Sequence, residues 1–150
     1  PALVKKYDIK IYAGEAERQL LEDSNLNLSR RFLDEDFTLE ADEYVKGGDE
    51  LEFEGLKLKV LYTPGHTVGS ISFYTEDLAD NEAFKKAAFT GDTLFAGSVG
   101  RVDLPTGSED TMKRTLNEVI KKLPPDTAVF PGHGAATTIE REIMHNPYLR

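Results

Sequence analysis

The chain has 150 residues, 39% hydrophobic and 30% charged, with no cysteine. That length suits one domain, 1–150, and lets the chain bury roughly 68–70% of its unfolded surface. A net charge of −9 argues against nucleic acid as a partner, since phosphate binding needs a basic surface. The missing cysteines exclude disulfides and thiolate metal sites and suit a reducing compartment, so the expected location is cytoplasmic. No apolar run reaches membrane-spanning length.

In chain order, "YDIKIYAGEAERQLLED" reads as a short strand from Lys10 to Ala13 and a helix through Leu21. The next stretch holds Leu26, Leu28, Phe32, Leu33 and Phe37 without a clean period and reads as irregular, with room for a short helix. "KGGDELEF" turns at Gly47-Gly48 into a strand. "GLKLKVLYTPGH" is the clearest strand, with Leu56, Leu58, Val60 and Tyr62 on one face and Lys57 and Lys59 on the other. "GSISFYTE" is a strand with Ile71 and Phe73 on one face, and "KAAFTGD" is a short strand of the buried type.

"SEDTMKRTLNEVIKKLPP" is a helix with Met112, Leu116, Val119, Ile120 and Leu123 along one stripe. Ser108 suits its N-cap, and Pro124-Pro125 stops it. "TAVFPGH" is a further strand. Thr137 and Glu140 form a capping-box pattern for a last helix, which Asn146-Pro147 ends. The mixture of strands and helices predicts a layered α/β or α+β body.

Three places share one design. "KVLYTPGH" ends in His66, "KAAFTGD" in Asp92 and "TAVFPGH" in His133. Each strand runs into a glycine, and a metal-type ligand follows. Each residue alone also suits a turn, with His66 or His133 bonded to backbone and Asp92 binding nearby N–H groups. Together, two imidazoles and a carboxylate at the ends of neighbouring strands match zinc, or iron in a nitrogen-and-oxygen site. His145, near a helix end, reads as structural.

The stretches "TPGHTVGSISFY", "FTGDTLFAGSVGRVDLPTGS" and "FPGHGAATTIEREIMHNPYL" resemble the metallo-β-lactamase superfamily, in particular its compact glyoxalase II-like hydrolases. The resemblance implies an α+β fold, an αββα sandwich with its site at one edge. It also implies two zinc ions there, with iron or manganese in some members. His66 matches the histidine completing the first metal's set, Asp92 the carboxylate bridging both metals, and His133 the last ligand of the second. The implied reaction is hydrolysis of a thioester such as S-lactoylglutathione by a metal-bound hydroxide.

The family's His-x-His-x-Asp-His loop, which supplies two ligands to each metal, has no counterpart in these 150 residues. The chain therefore reads as the N-terminally truncated portion of a longer domain, expected to have little or no activity by itself. It is also expected to self-associate through a face that includes Leu58, Val60, Ile71 and Phe73, and through an unpaired edge near Ile9 and Ile11. Two rival readings are an iron-dependent persulfide dioxygenase of the same fold and a metal-free fragment without a catalytic role. In the loop "FAGSVGRVDLPTGS", Arg101 is expected to pair with Asp103 and hold the loop's shape.

Overall fold

The strand expected from Leu56 to Tyr62 forms over that whole range in the computed structural model, which describes residues 2–78 and 83–150. The chain divides into two units, Pro1–Val45 and Lys46–Arg150.

The first unit opens with helix α1, Ala2–Tyr7, which the sequence pattern does not announce. Strand β1 is Tyr12–Gly14, later than the expected Lys10–Ala13, and it pairs in parallel with β2, Glu43–Val45. The N–H of Ile11 is taken by the Asp42 carboxylate at 2.8 Å, so the ladder stops there. Ile9 lies outside the strand and is exposed. A 3-10 turn, Glu15–Glu17, leads into helix α2, Arg18–Glu22. The irregular segment holds one short helix, α3, Ser29–Phe32. Side chains satisfy its backbone where no ladder exists: the Asn27 amide donates to the Phe37 carbonyl (2.9 Å), and Ser29 does the same through its hydroxyl (3.0 Å).

The second unit is built on a sheet of six strands. They are β3 Glu50–Phe53, β4 Leu56–Tyr62, β5 Ile71–Thr75, β6 Ala87–Gly91, β9 Ala128–Pro131 and β10 Thr137–Thr138. A hairpin of β7, Leu94–Phe95, and β8, Ser98–Val99, lies between β6 and β9 in the chain. Helix α4, Glu109–Glu118, continues as a 3-10 turn, Ile120–Lys122, and α5 spans Ile139–His145. The sheet order is β10-β9-β6-β5-β4-β3; β6 and β9 run parallel and the other neighbours antiparallel.

The stripe read from the sequence makes the core. Met112, Leu116, Ile120 and Leu123 are buried together with Tyr74, Ala88 and Val129 from the sheet, and with Leu94, Ile139 and Leu149. Each of the larger aliphatic side chains among them contributes roughly 1.5–3 kcal/mol by leaving water. Ser108 caps α4 as expected, accepting from the N–H of Thr111 at 3.3 Å. The cap of α5 is Thr138 and not Thr137, because Thr137 first pairs with Val129 as part of β10 and turns its hydroxyl to Glu142.

On the other face of the sheet, Val60, Phe73, Phe89 and Phe130 stand in register across four strands. Val60 is fully buried, whereas Phe89, on a strand that reads as buried from sequence, is 42% exposed. Among the described residues, no helix is long and apolar enough to cross a membrane.

Candidate metal centre

Strand direction explains why three distant residues meet. β4 is antiparallel to β5, and β5 to β6, so β4 and β6 point the same way; β9 is parallel to β6. All three therefore end at one edge of the sheet. Tyr62 leads through Thr63-Pro64-Gly65 to His66, Gly91 leads to Asp92, and Pro131 leads through Gly132 to His133.

The structure brings His66, Asp92 and His133 together. Asp92 Oδ2 lies 3.7 Å from His66 Nε2, and Asp92 Oδ1 lies 3.5 Å from His133 Nε2. Each carboxylate oxygen thus faces a different imidazole. His145 is exposed at the end of α5 and takes no part in this cluster.

The tautomer of His66 follows from its other nitrogen. Nδ1 lies 2.7 Å from the carbonyl oxygen of Arg101, which can only accept, so Nδ1 donates. In the neutral ring, Nε2 then presents a bare lone pair toward Asp92. Hydrogen-bond acceptors behind metal-binding imidazoles do the same elsewhere, fixing ring plane and tautomer. The loop carrying Arg101 is held by its bidentate pair with Asp103, both bonds at 2.7 Å, as expected from the sequence. That pair pulls the Asp103 carboxyl down to about 2.

Two glycines make room for the cluster. A Cβ on Gly132 would sit 2.6 Å from Asp92 Oδ1. A Cβ on Gly100 would overlap the carbonyl oxygen of Asp92 and crowd His66 Nδ1. Beneath them, buried hydroxyls tie the strand ends together. Thr93 donates toward the Thr63 carbonyl (3.3 Å) and hydroxyl (3.2 Å), and Thr63 is linked to Ser72 at 3.0 Å. Thr115 of α4 donates to the Pro64 carbonyl at 2.6 Å.

The donor set fits metal ions in part. Two ligands about 2.1 Å from one tetrahedral ion stand roughly 3.4 Å apart. Both nitrogen–oxygen separations are close to that value and long for a hydrogen bond. Each ion would receive one imidazole and one oxygen of Asp92. Among the described residues, no group of three or more His, Cys, Asp or Glu side chains is placed to hold one ion.

Sequence reasoning did not find the supporting residues. Phe95 stacks on the His133 ring, with centroids 4.6 Å apart. Glu142 is fully buried on α5. Burial pushes its carboxyl up, but bonds from Thr137, the Gly97 N–H, Asn146 and Arg141 outweigh that and hold it below the usual glutamate value. A signal existed in the spacing: Ile139, Glu142 and Asn146 lie on one helix face and all three are buried, while Ile143 and Met144 are exposed.

Residues 1–133 match the model of the Metallo-beta-lactamase superfamily. The probable metallo-hydrolase YqgX of Bacillus subtilis is 36% identical over 146 residues, covering 97% of this chain and 66% of that protein. The hydroxyacylglutathione hydrolase GloC of Haemophilus influenzae is 38% identical over 102 residues, covering 68% of this chain and 45% of that protein. The chain thus spans just under two thirds of the first relative's length and less than half of the second's. Among solved structures, BLEG-1, a B3 metallo-beta-lactamase, superposes with a TM-score of 0.85 at 36% identity, covering 99% of this chain and 68% of that one. TTHA1623 in a di-iron-bound form gives 0.77 at 32% identity, with 99% and 69% covered. A shared fold, a family model matched over most of the chain and relatives above 30% identity lead to one conclusion: this chain belongs to the metallo-beta-lactamase superfamily.

Proposed function

We propose that the chain carries half of the donor set of a dinuclear centre in a metal-dependent hydrolase, and that the substrate is a thioester such as S-lactoylglutathione. The observation that carries this reading is Asp92, with one carboxylate oxygen toward each histidine at metal-ligand spacing. The hydroxyacylglutathione hydrolase among the relatives supports the thioester. When bound, such ions supply an activated water and polarise a carbonyl.

The chain's own residues do the positioning. His66 is held in its Nδ1–H form by Arg101 and offers Nε2. Asp92 spans the two positions, and His133 offers its Nε2 from the opposite side. A catalytic zinc takes three protein ligands, and each position has two among the described residues. Further donors would come from outside these residues, and the chain alone is expected to turn over little substrate. The di-iron form of TTHA1623 supports iron as the alternative metal.

The test compares this chain with a longer protein made by fusing the N-terminal segment of the Bacillus subtilis relative to it, each loaded with zinc or with iron. S-lactoylglutathione hydrolysis and oxygen consumption are followed side by side. Zinc-dependent hydrolysis by the longer protein, lost in Asp92→Ala, is the expected result. Oxygen consumption with iron and no hydrolysis would replace the hydrolase with the dioxygenase. Equal hydrolysis by the short chain would show that the donor count is wrong.

A further inference from the structure

His66 and His133 are steadied by different means. His66 has a hydrogen bond behind its ring. Among the described residues, the ring of His133 has no such bond, and its side chain is 73% exposed. What it has is the Phe95 ring, stacked at 4.6 Å with an interplanar angle of 29°.

Phe95 sits in a hairpin whose strands are two residues each, too short to hold themselves. Two buried side chains hold it instead, Glu142 on α5 and Asn146 at the C-cap of that helix. Glu142 Oε2 accepts from the Gly97 N–H at 2.7 Å, in the turn of the hairpin. The Asn146 amide donates to the Ser98 carbonyl at 3.0 Å and reaches the Phe95 carbonyl at 3.5 Å. It also donates to Glu142 Oε2 at 2.9 Å, locking the two anchors to each other.

A buried carboxylate is costly unless its oxygens are fully bonded. Here Thr137 and Arg141 occupy the other oxygen, so the requirement is met. An apolar side chain would fill the same space without that requirement. What the carboxylate adds is a fixed place for the hairpin.

We propose that Phe95 is a positioning residue for His133, and that Glu142 and Asn146 act through Phe95 by fixing its hairpin. The inference rests on the reading of His133 as a metal ligand. The stack sets the plane of an otherwise exposed imidazole, as a hydrogen bond does for His66. The aromatic face holds the ring without engaging its nitrogens, so Nε2 stays turned toward Asp92 at 3.5 Å.

The test uses Phe95→Leu, Phe95→Tyr and Asn146→Ala, with two readouts. The first is the proton spectrum of the histidine rings without metal. In the wild type, His133 ring protons should be shifted upfield of those of exposed His145 by the neighbouring aromatic face. Phe95→Leu should abolish the shift, Phe95→Tyr should keep it, and Asn146→Ala should reduce it. The second readout is zinc affinity by competition with a chelating dye. Phe95→Leu should bind at least about tenfold more weakly, the scale seen when partners of metal ligands are removed, and Phe95→Tyr should bind like the wild type. Absence of the upfield shift in the wild type, or unchanged zinc affinity in Phe95→Leu, overturns the proposal. If the wild type binds no zinc, the ligand reading fails and takes the proposal with it. Wild-type binding with an indifferent Phe95→Leu defeats the proposal alone.

Discussion

The ring Nδ1 of His66 donates to the backbone carbonyl of Arg101, 2.7 Å away and 35 residues along the chain. This single bond ties the end of β4 to the loop after β8. It sets the tautomer that leaves Nε2 facing Asp92. The Arg101–Asp103 pair that shapes the loop is therefore linked to the site through backbone and not through its charges.

Gly132 has no room for a side chain. Gly132→Ala should push the Asp92 carboxylate away from His133, since the new Cβ would lie 2.6 Å from Oδ1. Zinc affinity should fall by tenfold or more while the fold persists, because the clash is with a movable side-chain end. Gly134→Ala is the control. Gly134 has a φ of +86° and open space around its Cβ. Its substitution should cost about 1 kcal/mol of stability through backbone strain and leave Asp92 in place. Urea unfolding with zinc competition on both variants separates the two effects.

The hydroxyl of Thr93 is buried and, among the described residues, bonded only within the strand-end network. Thr93→Val keeps the shape and removes the donor. The Thr63 oxygens then lose a partner, which should cost about 1–3 kcal/mol. The same variant should loosen His66 relative to Asp92, since Thr63 and Thr93 flank the two loops. Denaturant midpoints and line widths of the His66 ring protons give both answers. An unchanged midpoint would remove the network from the account.

Glu142 makes stability depend on acidity. Its carboxyl is held below the ordinary glutamate value, which is about 4.3. A depressed folded-state value means that its contribution is fully present above about pH 4.3 and is lost as pH falls through the lower folded value. Glu142→Gln should remove this part of the acid sensitivity. It should also lower stability at neutral pH, because a carboxamide cannot accept from all four donors. Unfolding curves for both proteins between neutral pH and pH 3 test it; parallel curves would contradict the assignment.

What the sequence made legible follows from local rules. The apolar stripe of α4, its Ser108 cap and the alternation of β4 are periodic patterns; the cap forms as read, the stripe does so except at Val119, where the α-helix has ended, and the alternation holds to Val60 but not at Tyr62, which is exposed. The strand-glycine-ligand design located His66, Asp92 and His133, because strand ends carry their next residues to one edge. Phe95, Glu142 and Asn146 were out of reach for the opposite reason. Their roles are set by contacts across 38 residues or more, between a hairpin and two loops or helices with no shared pattern. The first unit was only partly legible: β1 begins two residues late because the Asp42 side chain takes the N–H of Ile11, a competition that propensity does not encode. Phe89 shows the limit of composition, since a strand rich in small and apolar residues still leaves this ring exposed.

The proposal that His66, Asp92 and His133 are metal ligands has its most direct test in the histidine rings themselves. The chain carries its own control, because it has three histidines and the claim involves two. Zinc should be titrated into the protein while the ring resonances of all three are followed. His66 and His133 are expected to respond together, His145 to stay unmoved, and Asp92→Ala to abolish both responses. Responses by all three histidines alike, or by none, or binding that survives Asp92→Ala, would contradict it.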